Sequence, residues 1–537
     1  MHKKIPITFS IICTLFFGLF ILYKALYPLH MDEVMIVTTF PKWRIDNLLM
    51  PMVHLFAYIY KVLFKKLYLI RFYFLFFSAI NIYYLILIYR EIFKKTVKSE
   101  SYFILSLLLF FPISMQSSIF VDENIYINCF LSILLFYFIK WRQKPSTWKS
   151  LFLGLIFLLS LWLKFTTILA LPIFIALIYI SQIYLKKDYF KYKVKDLIFI
   201  FIIPTIIFIA GYLWFNSTFL NIPTWVTFKY ISSRTNFFGW KALIFQLSYL
   251  VLWTSPIYFI ILLTIIKKQY YETKKHFNEK NFIIISVIFL ILFIFFIYAK
   301  SHFFAGSFPK YIIWPIQLSL LLIGNFLWNS VSNKKNYFFF IFIGLLIYFI
   351  FILKDPLYFG KPITLSVLEE STFRIYYIKE YLIRLFIIIL PCIFLLSKKH
   401  YNFFLSILFL AYISAVSINQ VYANYTTIYA YGEKGYPEVS EWLKNNVKKS
   451  TTILCPKEIE TVFYKYNHLY HYYLEYLKDH KKYYKIIQEK QPEIIVIRKY
   501  WIPNDIFLSE LKKLGFRLIL DNKNYFIFKR NSSPTTG

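Results

Sequence analysis

The chain has 537 residues, of which 59% are hydrophobic and 23% aromatic, while only 16% carry charge. Soluble domains average about half apolar and a quarter charged, so a soluble fold cannot hide this much apolar surface. The formal net charge of +34 sits largely in short loops between apolar runs, where Lys and Arg set topology and meet anionic head groups, and no nucleic-acid partner is expected.

Apolar runs long enough to cross about 30 Å of hydrocarbon recur from Pro6 to Ser417. Candidate spans fall at 6–27, 68–89, 102–119, 124–140, 150–163, 165–185, 196–215, 247–266, 282–299, 311–328, 337–353, 381–397 and 402–418, about thirteen by the length rule. The first begins after His2, Lys3 and Lys4, is too long for a signal-peptide core and lacks a small-residue cleavage site; it reads as a retained span. An odd number of spans puts the termini on opposite sides. The short loops on the N-terminal side are all basic: Arg90 to Lys98, Lys140 to Lys144, Lys186 to Lys195, Lys267 to Lys275, Lys334-Lys335 and Lys398-Lys399. That side is therefore expected to be cytoplasmic, in the plasma or inner membrane. Residues 48–64 contain Pro51, His54 and Lys61. Crossing there would invert every later loop, so this segment reads as a helix lying in the interface.

After Ser417 the hydropathy collapses. Residues 1–418 read as the membrane domain, 419–530 as a small extracytoplasmic α/β domain and 531–537 as a disordered tail. Helical runs are expected from Pro437, from His471 to Lys490 and from Asp505 to Leu514, closed by Gly515. Strands are expected at Thr451–Cys455, Glu493–Arg498, Phe516–Leu520 and Tyr525–Lys529. Alternating helices and strands suggest an α/β sheet. The fold class is thus a polytopic α-helical membrane protein with a small α/β appendage. Four cysteines show no CxxC or metal-ligand spacing, so neither a disulfide framework nor a zinc site is supported.

Carboxylates are scarce in the membrane half, and ionisable groups at membrane depth are functional candidates by default. Asp32-Glu33 follows the first span and Asp122-Glu123 precedes the fourth, both at the outer face. Lys164 divides the apolar stretch from Leu151 to Leu185, in Leu161-Trp-Leu-Lys-Phe-Thr-Thr. A tight outer turn there would place it at the interface, as a phosphate ligand or as a snorkelling lysine. His302, Lys310 and Tyr311 lie in the outer segment Lys300 to Pro315. Arg71 opens the second span, and His54 and Arg234 are weaker candidates for substrate contact, as are Glu123 and His302. One-sided acids and cations fit glycosyl transfer from a lipid phosphate. A carboxylate takes the acceptor proton as the sugar carbon gains oxocarbenium character. Fixed cations meet the charge developing on the departing phosphate.

Taken in order, these motifs resemble the polyprenyl-phosphate-dependent glycosyltransferases of the GT-C fold, which include the protein O-mannosyltransferases and lipid A aminoarabinose transferases. The resemblance is carried by Asp32-Glu33 after the first span, Arg71 in Leu69-Ile-Arg-Phe, Phe111-Pro-Ile-Ser followed by Val121-Asp-Glu-Asn, Lys164 between paired spans, and Lys310-Tyr-Ile-Ile-Trp-Pro315. The His-Pro-Pro segment common in the family's first loop has only a loose echo in Met50-Pro-Met-Val-His54, and Lys310 stands where many members have Arg. The resemblance implies Asp32 as base, Asp122 as second acid, and Lys164, Lys310, Arg71 and Tyr311 around the donor phosphate. It implies a polyprenyl-phosphate-linked sugar donor and an envelope lipid, glycan or protein acceptor. No cofactor is assigned. Some members bind a divalent metal at the outer face and others need none. Alternatives are a secondary transporter or lipid flippase, a non-catalytic envelope protein presenting the C-terminal domain, and an enzyme using polyprenyl-diphosphate glycans.

Overall fold

The computed structural model describes residues 4–26, 70–94, 98–111, 123–164, 195–219, 256–275, 313–331, 401–427, 436–448, 451–455, 480–498, 505–522 and 525–531. It also describes short pieces at 52, 59, 114–115, 118, 281, 284–285 and 287–291. Contacts divide the chain into two compact units, one of Met1–Ala25 and Thr39–Tyr422, the other of Leu26–Thr38 and Ala423–Gly537.

The first unit is a helical bundle. Its described helices are α1 (Lys4–Leu26), α2 (Ile70–Phe93), α3 (Lys98–Phe110), α4 (Glu123–Gln143), α5 (Thr147–Leu163), α6 (Ile203–Phe219, preceded by a π-helical turn at Ile198–Ile202), α7 (Pro256–Lys275), α8 (Ile313–Val331) and α9 (Tyr401–Thr427). Among the described residues, three helices are long and apolar enough to cross a bilayer: Ile70–Phe93, Asn124–Gln143 and Lys195–Phe215. Large apolar side chains such as Ile11, Leu15, Leu155, Ile206 and Trp214 stand exposed, as lipid-facing surfaces require. The spans expected at 165–185, 337–353 and 381–397 lie outside the described residues, as does most of the interfacial segment 48–64.

Several helix ends differ from the sequence reading, among them that of α9, which runs to Thr427 rather than 418. Helix α3 ends at Phe110 rather than near 119, two residues before Pro112 in the sequence, and helices usually end at or before the residue preceding a proline. Helix α7 runs on to Lys275, past the expected end at 266. Its extension carries Lys267, Lys268, Lys274 and Lys275, whose long stems let ammonium groups reach water from a bilayer edge.

The register between helices fixes which ends coincide. Glu91 pairs with Lys140, Ser132 Oγ donates to Asn81 Oδ1 at 2.6 Å, and the Phe74 and Tyr126 rings lie 4.8 Å apart. Helices α2 and α4 therefore run parallel, with the start of α2 level with the start of α4. Helix α5 returns antiparallel: Trp141 Nε1 donates to Ser150 Oγ at 2.9 Å near one end, and Tyr137 packs on Phe152. Its N-cap is Ser146, whose side chain accepts from the Lys149 amide, a donor that would otherwise be unsatisfied. Ser150 Oγ also donates to Asp196 Oδ1 at 2.8 Å, so the chain returning at Lys195 starts level with the start of α5. Arg90, Lys94, Lys140, Arg142, Lys144, Lys149 and Lys195 thus gather at one end of the bundle, where Glu91 meets Lys140, Lys94 and Gln143.

The π turn packs closely against α5. Gly154 of α5 lies against the Phe199 backbone so closely that a Cβ built there would collide with the Phe199 carbonyl oxygen. Small residues permit this approach between membrane helices. Gly154→Val is expected to destabilise the bundle by about 1–3 kcal/mol, the range for overpacking a tight site. A thermal-unfolding comparison in detergent checks this, and an unchanged midpoint would refute the close contact.

The second unit contains helix α10 (Tyr436–Asn446), strand β1 (Ile453–Leu454), helix α11 (His480–Lys490), strand β2 (Ile494–Arg498), helix α12 (Asp505–Lys513), and strands β3 (Phe516–Asp521) and β4 (Tyr525–Arg530). The sheet order is β1-β2-β4-β3, with β1 parallel to β2 and the other pairs antiparallel. Alternation along the strands splits the core into two layers. Val439 and Leu443 of α10 cover Ile494, Val496 and Ile527 on one face. Ile487 of α11 and Leu511 of α12 cover Ile495, Ile497 and Phe528 on the other. Burial, reinforced by a hydrogen bond to Glu510, pushes the Tyr484 phenol above its ordinary range and ties α11 to α12. Gly515, at φ +82°, closes α12 in the left-handed region that glycine enters freely.

Candidate active site

Four of the sequence-derived positions and near neighbours fall among the described residues, and they share one end of the bundle. Arg71 sits in the first turn of α2 and is only 1% exposed. A buried guanidinium is stable only where acceptors meet it. Glu123 opens α4, and Asn124, directly after it, is 6% exposed. Lys164 caps the C-terminus of α5 in an extended conformation, with its backbone N–H donating to the Ser160 carbonyl. Lys164 is 7% exposed, and its Nζ donates to Asn124 Oδ1 at 3.3 Å. The lysine therefore turns inward along the α4–α5 seam instead of reaching outward as a surface anchor.

The local fold explains the convergence. Helices α2 and α4 are parallel and start at the same level, while α5 ends there. Two buried cations, Arg71 and Lys164, consequently lie at the level where the Asp122-Glu123 pair leads into α4. This end is opposite the basic end described above. The Asn124 amide oxygen that accepts from Nζ holds the ammonium against α4. Tyr126 completes the wall, packed against the Phe74 and Phe77 rings at 4.8 and 4.6 Å.

Below this level the bundle holds a chain of hydrogen bonds that the sequence did not signal. Trp314 Nε1 donates to Ser132 Oγ at 2.8 Å, and Ser132 Oγ donates to Asn81 Oδ1 at 2.6 Å. Asn81 Nδ2 donates to Gln317 Oε1 at 2.9 Å, and Gln317 Nε2 donates to Ser114 Oγ at 3.2 Å. All five residues are buried. Asn81 follows Arg71 by ten residues, about 15 Å along a helix rising roughly 1.5 Å per residue.

His54, Asp32, Glu33, Asp122, Arg234, His302, Lys310 and Tyr311 lie outside the described residues, and the side chain of Glu123 does too. Among the described residues no group of three or more His, Cys, Asp or Glu side chains could hold a metal ion. Sequence reasoning passed over Asn124, Asn81, Gln317 and Trp314. Asn81 and Gln317 did carry a signal, being amides inside apolar runs, where each must find a partner.

No protein-family profile matches the sequence, and no curated protein matches it either. Solved structures do match. The crystal structure of ArnT from Cupriavidus metallidurans bound to undecaprenyl phosphate superposes with a TM-score of 0.59 over 97% of this chain and 98% of that one, at 10% identity. The apo form of the same protein gives 0.54 over 96% and 97%, at 11% identity. The chain has the fold of ArnT. It is therefore a polytopic membrane protein built on the GT-C plan expected from the order of its motifs, and the likeness extends over nearly the whole of both chains.

Proposed function

We propose that the chain is an inverting glycosyltransferase. It moves a sugar from a polyprenyl-phosphate donor to an envelope lipid, glycan or protein acceptor on the extracytoplasmic face of the inner membrane. The observation that carries this reading is the pair of buried cations, Arg71 and Lys164, level with the start of the helix that Asp122-Glu123 introduces. Cations held in a low-dielectric setting bind phosphate oxygens more strongly than surface cations do. The ArnT likeness supports the same reading, since that protein holds undecaprenyl phosphate on a shared fold.

In the proposed mechanism Asp32 takes the proton of the acceptor hydroxyl as it attacks the anomeric carbon. The bond from that carbon to the phosphate oxygen breaks, and the polyprenyl phosphate leaves with the electron pair. Arg71, Lys164, Lys310 and Tyr311 receive its charge, and Asp122 orients the reactants. Including Lys310 is supported by its closeness in sequence to Ile313, the first residue of α8, since three residues reach at most about 11 Å. The gathering of basic residues around Glu91, Lys140 and Lys195 at the other end supports an N-terminus in the cytoplasm, by the positive-inside rule.

One observation favours the transporter or flippase alternative. The Asn81 chain is polar and lies well inside the bundle, and transporters place substrate sites near the bilayer midplane. Its donors and acceptors, however, are engaged with one another rather than turned toward a cavity. The deciding experiment uses the full chain in nanodiscs with a radiolabelled polyprenyl-phosphate hexose or pentose and a membrane extract as acceptor. Label moving from the carrier to a lipid, glycan or protein supports the enzyme. Binding of the carrier with no transfer for any sugar, combined with carrier translocation in vesicles, would overturn it in favour of transport.

A further inference from the structure

The hydrogen-bonded chain beneath the candidate site links four segments that are far apart in sequence: α2 through Asn81, α4 through Ser132, α8 through Trp314 and Gln317, and the piece after α3 through Ser114. Its polarity is consistent along its length. The indole N–H donates to the serine hydroxyl, that hydroxyl donates to the Asn81 carbonyl, and the Asn81 amide donates to the Gln317 carbonyl. The Gln317 amide then donates to Ser114. Each amide of Asn81 and Gln317 uses both ends. Apolar packing alone would leave α8 free to rotate or slide by fractions of a turn, since lipid tails are as apolar as the helices and supply no hydrophobic preference for one face. Directional bonds remove that freedom, because a shifted α8 strands buried donors and acceptors.

Trp314 is the second residue of α8, and Gln317 lies one turn later. The chain therefore grips the very start of the helix, directly after Lys310-Tyr311. A second contact seats the same part of α8 from the other side, where Tyr258 of α7 meets Ser319. We infer that the Trp314–Ser132–Asn81–Gln317 chain is a positioning device. It fixes the start of α8 against α4, and with it the point at which the segment that carries Lys310 and Tyr311 in the sequence enters the helix. This inference rests on the proposed donor-phosphate reading for its consequence, though not for its geometry. The residues involved are positioning residues that touch no substrate.

The test uses the full chain in nanodiscs and three variants: Trp314→Phe, which keeps an aromatic ring and removes the N–H, Ser132→Ala, and the double variant. Two readouts are taken. Hydrogen exchange over 313–318 reports how firmly the start of α8 is held without ligand. Binding of undecaprenyl phosphate, followed by thermal shift, reports the consequence. Trp314→Phe is expected to speed exchange at 313–318 while leaving α4 protected. It should also weaken carrier binding about threefold, the size of one interhelical hydrogen bond in a membrane bundle. The double variant should bind no worse than Ser132→Ala, because the indole's partner is already gone. Wild-type exchange at 313–318 in Trp314→Phe would overturn the inference, as would faster exchange with unchanged carrier binding, which would leave the chain a structural tie only. If the wild type binds no undecaprenyl phosphate or related carrier, the donor reading fails separately, and the exchange result alone then decides the positioning claim.

Discussion

Asp32→Asn is expected to lower the rate of sugar transfer by about 10²–10⁴, the usual loss when one positioned general base is removed. Carrier binding should stay close to wild type. Asparagine keeps the size of the side chain and one carbonyl acceptor, so the acceptor hydroxyl can still be held. What it lacks is a lone pair basic enough to take the proton as the bond to the anomeric carbon forms. The loss should therefore fall on kcat, with KM for the lipid donor little changed, the pattern of an interaction made mainly in the transition state. Asp122→Asn provides the contrast. As the acid that orients reactants, it should alter KM as well as kcat. Initial rates with a labelled polyprenyl-phosphate sugar, set beside thermal shifts with undecaprenyl phosphate, separate the two. Turnover unchanged in Asp32→Asn would remove Asp32 as the base, and equal damage to binding would recast it as a donor or metal ligand.

How far the sequence could be read depended on the kind of physics involved. The bundle was legible because bilayer crossing demands long apolar runs, and α1, α2, α4, α5, α6 and α8 fall on the expected runs within a few residues. Lys164 stood out because charge inside such a run is rare, and Arg71, otherwise an interfacial anchor at the start of a span, through its place in the order of motifs. Their burial, and the fact that one amide of α4 reaches the lysine, needed three dimensions. Asn124 is next to an acidic pair that drew attention away from it. The chain through Asn81 was harder still: its partners Gln317 and Ser132 lie 236 and 51 residues away, and no local period encodes such a pairing. In the C-terminal unit the strands announced themselves as short apolar runs, continuous in β2 and aromatic-rich in β4. The placement of β4 between β2 and β3 is a long-range pairing that local pattern leaves open.

Lys164 offers the sharpest distinction between chemistry and architecture. Lys164→Met retains length and apolar volume but removes the charge and all three donors. If the ammonium serves the donor phosphate, carrier affinity should fall about 10- to 100-fold. That corresponds to the roughly 1.5–3 kcal/mol typical of a hydrogen bond to a charged group, at about 1.4 kcal/mol per tenfold. The transfer rate should fall as well, because charge on the leaving phosphate grows toward the transition state. Lys164→Arg separates charge from shape. It restores the cation, but its planar fork has a different shape and donor geometry from the ammonium that meets Asn124 Oδ1, so it should recover binding only in part. Asn124→Leu is the third arm. It removes the oxygen that aims Nζ while leaving the lysine in place, and should cost less affinity than Lys164→Met. A lysine that merely anchors α5 predicts a different pattern: all three variants would bind carrier and transfer sugar as the wild type does, and any loss would appear in thermal stability alone. Ordering by affinity, with Lys164→Met weakest and Asn124→Leu and Lys164→Arg between it and wild type, would place the buried ammonium at the phosphate. Any other order would return Lys164 to the role of a structural cap on α5.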